Sequence, residues 1–164
     1  MGDIRAVFSG KTLSIANLSS PERWLGILFR LCLALLVGGI IGWDRQLRHK
    51  PAGLRTHMLV SMGSALFVLI PLALGKNENV RDAIERVIQG IAAGVGFLGG
   101  GEILRQSKQE IGEVEVHGLT SAAAIWVSAA LGSAAGCGLW EIALIGALLS
   151  LFVLRVIKKL ERHK

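Results

Sequence analysis

The chain has 164 residues, of which 52% are hydrophobic and only 18% charged, and its formal net charge is +6. One domain of this size has too little interior to hide that much apolar surface from water, so a soluble fold is excluded. The basic residues flank apolar stretches and form no continuous face, which sets aside a nucleic-acid partner.

The apolar stretches run for roughly 20 residues, enough to cross a ~30 Å hydrocarbon core. The chain has 21 glycines and no tyrosine, a composition suited to tightly packed membrane helices. Residues 1–19 lack the apolar core and cleavage site of a secretory signal and are expected to form an exposed or interfacial arm. Ser20-Pro21-Glu22 reads as a helix start: a capping hydroxyl, a proline in the first turn and an acid at the positive end of the dipole. Span 1 is expected from about Trp24 to Trp43, with Arg30 about two turns inside. Span 2 runs from about Leu54 to Leu74, with Pro71 near its far end, and a turn follows at Gly75 to Asn79. Span 3 runs from about Ala83 to Leu104, charged at its start and rich in glycine later. A polar link from Arg105 to His117 leads to span 4, about Leu119 to Gly136. After the turn at Gly136-Cys137-Gly138, span 5 runs from about Trp140 to Ile157.

The expected fold is all-α: a polytopic membrane protein of five transmembrane helices. The arm is residues 1–19, the five-helix transmembrane domain residues 20–157, and a basic cytoplasmic tail residues 158–164. Arg45, Arg48, Lys50, Arg55, Arg105, Lys108, Arg155, Lys158, Lys159, Arg162 and Lys164 share one face, against Arg5, Lys11, Arg23, Lys76 and Arg81 on the other. That excess marks the first face as cytoplasmic and puts the amino terminus outside. Cys32 and Cys137 lack metal-ligand spacing and read as packing residues rather than a disulfide.

Spans 1–2 and 3–4 share a plan. Gly39-Ile40-Ile41-Gly42-Trp43-Asp44-Arg45-Gln46 corresponds loosely to Gly96-Phe97-Leu98-Gly99-Gly100-Gly101-Glu102, followed by Arg105-Gln106, and Gly53-Leu54-Arg55-Thr56 corresponds to Gly118-Leu119-Thr120-Ser121. Each pair crosses in the same order, as parallel repeats about an axis along the membrane normal. Glycines four apart line helix faces at Gly38 with Gly42, Gly90 with Gly94, Gly96 with Gly100, and Gly132 with Gly136. Such faces let helix backbones approach closely, within the chain or across the seam of a homo-oligomer.

Asp44, Arg45, Arg55, Thr56, His57, Glu102, Arg105 and Thr120 should gather near the cytoplasmic surface. Two readings of this cluster stand. The acids bind a cation or relay a proton, with the arginines holding an anion or head group. Alternatively Asp44 pairs with Arg55 or Arg105 and locks the hairpins together. His57 is expected to be a hydrogen-bonded interface residue. Arg30, about 21 Å along the helix from Asp44, lies near the depth of Gln89 and Glu85 and is expected to snorkel outward or pair with Glu85. No catalytic triad, phosphate loop or metal-ligand cluster is visible, so neither enzymatic activity nor a cofactor is expected.

With these residues the chain resembles the MgtC/SapB family of bacterial inner-membrane proteins. The resemblance runs through Arg30-Leu31, Gly42 to Gln46, Pro51 to His57, Gln89-Gly90, Gly94 to Gly101 and Gly118 to Trp126, and covers about Trp24 to Leu154. It implies a role tied to magnesium limitation and, in pathogens, to survival inside macrophages. It also implies action on other membrane machinery, including the F-type ATP synthase. Asp44 stands where the family usually has Glu. The chain stops soon after span 5, so the soluble carboxyl-terminal domain of longer members is not expected. The leading reading is a regulator of ion and energy homeostasis that binds partner membrane proteins. The alternatives are a small Mg²⁺ or proton carrier using Asp44 and Glu102, and a lipid-interacting scaffold.

Overall fold

The computed structural model describes residues 21–74, 80–106, 108–110, 113–115 and 118–157. The expected arm at 1–19, the turn at Gly75 to Asn79, most of the polar link and the basic tail lie outside the described residues. Four long helices follow in order: α1 (Pro21–Leu47), α2 (Leu54–Leu74), α3 (Val80–Gln106) and α4 (Leu119–Cys137). Each is long and apolar enough to cross a bilayer. The fifth, α5 (Trp140–Phe152), continues as a π-helical turn over Val153–Ile157. Between α3 and α4, β1 (Lys108–Glu110) pairs antiparallel with β2 (Glu113–Glu115), Gln109 opposite Val114. The architecture is that of an all-α polytopic membrane protein.

Local chemistry sets the helix ends. Pro21 opens α1 and Glu22 sits in its first turn, as a fixed φ and a negative charge at a helix start favour. At the far end the Lys50 N–H bonds the Arg45 carbonyl and the His49 N–H bonds the Gln46 carbonyl. His49 has φ 51°. This is a Schellman cap with histidine in the left-handed position where glycine is usual, and Pro51 follows to stop the helix. The Gln46 side-chain oxygen then accepts the Leu54 N–H at 3.4 Å, starting α2. Gly138, at φ 82°, closes α4 by the same device.

The contacts fix the topology. Arg23 and Arg30 of α1 reach the ends of α2 and α4, and Arg45 reaches the start of α4, so α1 is antiparallel to both. Gly132 meets Ser61 and Gly136 meets Ala65, so α2 and α4 run side by side in the same direction. α5 leaves the Arg30 end beside Gly138 and returns Arg155 to Asp44. It thus covers the same distance between ends as the longer helices. α4 packs on α1, α2, α3 and α5.

The packing is inverted relative to a water-soluble domain. Ala34, Ala65, Ala135, Ala143 and Ala147 are fully buried, while Leu28, Phe67, Phe97, Leu148 and Phe152 are exposed. Small residues inside and large apolar ones outside are what lipid solvent selects, because close backbone approach, not water exclusion, holds such helices together. A Cβ at Gly132 would overlap the Ser61 carbonyl, so glycine is what permits that crossing. Ser64, Ser128 and Ser133 return their hydroxyls to carbonyls one turn back, and Ser61 donates across to Ala34 of α1 at 2.7 Å.

Candidate functional site

The site forms where α1 ends and α2 and α4 begin. Asp44 is 2% exposed. Its Oδ2 accepts Arg48 Nε at 3.0 Å, one turn on, and its Oδ1 accepts Arg155 Nε at 2.8 Å from the π-helical turn after α5. A carboxylate taken out of water is tolerable only when its charge and its lone pairs are both met. Here two guanidiniums supply both.

Arg45 turns the other way. It is 3% exposed, and its terminal nitrogen donates to Ser121 Oγ of α4 at 2.7 Å. Asp44, Arg48 and Glu102 all lie within electrostatic reach of its guanidinium. Glu102, the acid of the second hairpin, thus lies near the cation that follows Asp44 in the first. His57, fully buried on α2, feels the Arg45 charge as well. Neither ring nitrogen of His57 has a hydrogen-bond partner among the described residues, nor does Arg45 Nε. The expected hydrogen bond of His57 thus finds no partner among the described residues. Gly42 explains its burial: a Cβ there would come 2.8 Å from Leu54 Cα and 3.1 Å from His57 Cβ.

The structure brings Asp44, Arg45, His57 and Glu102 to one end of the bundle. Arg55, Thr56 and Thr120 lie on the exposed side of their helices and do not join the cluster. The side chain of Arg105 lies outside the described residues. The expected pairing of Asp44 with Arg55 is replaced by Arg48 and Arg155. The reason is geometric: Arg48 sits on the same face of α1 at i+4, and α5 packs against α1. Three members were missed. Arg48 could be read from its spacing, and Ser121 from its place beside Thr120. Arg155 carries no local signal.

Arg30 is also corrected. It is buried and donates to the Gly136 carbonyl at 2.9 Å, while Arg23 donates to the Ala73 carbonyl at 3.3 Å. Both acceptors lie in the last turn of a helix, where carbonyls lack intrahelical partners and the dipole favours cations. Glu85 pairs instead with Arg81 at 3.5 Å on an exposed face of α3, and Gln89 is exposed. The glycines divide likewise. Gly38, Gly42, Gly132 and Gly136 sit at tight helix contacts, whereas Gly90, Gly94, Gly96 and Gly100 face open space. Among the described residues no three His, Cys, Asp or Glu side chains group as a metal site, and both cysteines are free.

The model of the MgtC family matches residues 31–163. Protein SrpB of Synechococcus elongatus is 50% identical over 143 residues, 85% of this chain and 79% of that protein. The putative magnesium transporter YhiD of Escherichia coli K12 is 40% identical over 140 residues, 81% of this chain and 61% of that protein. Protein MgtC of Brucella abortus is 43% identical over 111 residues, 66% of this chain and 42% of that protein. The chain thus spans about three fifths of the length of the second relative and two fifths of the third. No solved structure matches it.

Proposed function

The chain belongs to the MgtC family, and on that premise we propose that it supports magnesium and energy homeostasis by regulating partner proteins in the bacterial inner membrane. Five helices cross the bilayer, with the amino terminus outside and the Asp44 end on the cytoplasmic side. The partners are other membrane proteins, and the family resemblance suggests the F-type ATP synthase among them. The observation that carries this reading is the state of Asp44: both oxygens are taken by guanidiniums and the side chain is 3% exposed. A hard dication such as Mg²⁺ seeks carboxylate and carbonyl oxygens. To use Asp44 it would have to displace two cations at once. The open glycine face of α3 supports a second part of the reading, a surface on which a partner helix can seat.

The carrier reading has its own support, since a 40%-identical relative is named as a putative magnesium transporter and Asp44 and Glu102 both lie beside Arg45. Reconstitution in liposomes separates the two. We expect no Mg²⁺ or H⁺ flux above the leak of empty vesicles, for wild type or Asp44→Asn, while Asp44→Asn fails to support growth of a deletion strain at low Mg²⁺. Flux in the wild type that Asp44→Asn abolishes would overturn the regulator.

A further inference from the structure

Arg48 and Arg155 each turn only Nε toward Asp44. Their Nη groups have no protein partner among the described residues, and the two side chains are 30% and 50% exposed. Two cations paired with one buried anion leave a net positive charge at this end of the bundle. Beside Arg155 a groove of about 550 Å³ opens on the outer surface of α1. Gly39 floors it, and Leu35, Leu36, Trp43, Met58 and Leu151 wall it. From Trp43 to Leu35 it descends about 12 Å along the helix. Arg155 is the one charged residue in its lining. Trp43, 56% exposed at the mouth, is the residue type that settles at the head-group level.

We propose that this groove and Arg155 at its rim bind an anionic phospholipid, with an acyl chain lying over Gly39 and the phosphate on the Arg155 Nη donors. Guanidinium edges match phosphate oxygens in geometry and charge, and the apolar groove leads directly into the hydrocarbon. A partner helix would cover the groove but would need an acid of its own at the rim, whereas one phospholipid supplies both parts. The proposal is independent of whether the protein regulates or transports.

Trp43 serves as the reporter. With Trp24, Trp126 and Trp140 changed to Phe, its fluorescence is followed in bilayers that mix brominated phosphatidylglycerol or brominated phosphatidylcholine with the unbrominated lipid. Quenching should show phosphatidylglycerol favoured about fivefold, the effect of one basic side chain near the surface. Arg155→Gln should bring the ratio to about one while Trp43 remains quenched by both lipids. Gly39→Leu fills the floor without touching a charge, since a Cβ there meets Met58 only at 3.8 Å. It should weaken quenching by both lipids, and it keeps the test open if Arg155→Gln does not fold. Equal quenching by the two lipids in the parent, a preference that survives Arg155→Gln, or quenching untouched by Gly39→Leu would each overturn the site.

Discussion

The α1–α2 and α3–α4 hairpins approach their partners in the same way. Gly42 brings α1 against Leu54 and His57 of α2, and Gly99 brings α3 against Ala122 of α4. Their surroundings differ. In the most apolar stretch of α1, 39% of residues are buried, and in that of α3 only 6%. Among the described residues α2, α4 and α5 all pack on α1, whereas α3 packs mainly on α4 and less on α2. Asp44 is thereby enclosed, with Arg155 from the turn after α5 upon it, and Glu102 is left half-buried. The repeat sets where the two acids are, and the unequal packing sets how far each is enclosed.

That contrast can be broken in graded steps. Asp44→Ala takes from the buried Arg45 its neighbouring anion, as well as from the part-exposed Arg48 and Arg155, and should cost about 3 kcal/mol, seen as a lower midpoint of thermal unfolding in detergent. Glu102→Gln, in the matching region of the second hairpin, should cost less than about 1 kcal/mol. Equal losses would mean that the two ends are equivalent after all. Gly42→Ala forces a Cβ to within 2.8 Å of Leu54 Cα and should cost about 2 kcal/mol by overpacking. The counterpart Gly99→Ala meets Ala122 Cβ at 3.3 Å, a side chain that can yield by a few tenths of an ångström, and should stay within about 0.5 kcal/mol of wild type. Ser121→Ala removes the acceptor of Arg45 and should cost about 1.5 kcal/mol. Smallest of all, Gly100→Ala faces open space and should gain up to about 1 kcal/mol from helix propensity. Loss of stability there would show that a partner helix already lies against α3.

Much of this was readable in the chain. Apolar length and glycine spacing place four long helices. The paired Gly-Leu starts bring Asp44 and Glu102 to one end, because a repeated hairpin repeats its polarity. The unread part depended on which helix faces which. Arg155 lies 111 residues from Asp44, and no local pattern couples them. Depth along the helix points Arg30 to an acid, but its acceptor is a backbone carbonyl, which any residue type can supply. A glycine stripe likewise shows that close approach is permitted without saying whether a neighbour is there. On α4 one is, and on α3 the stripe is bare.

The arginines of α1 have one more consequence. Arg23 and Arg30 hold the terminal carbonyls of α2 and α4 at one membrane face, while Arg45 and Asp44 hold Ser121 and Arg155 at the other. Sliding α1 by a single residue, about 1.5 Å, would strain the bonds at both faces together. A piston stroke is therefore closed to this helix.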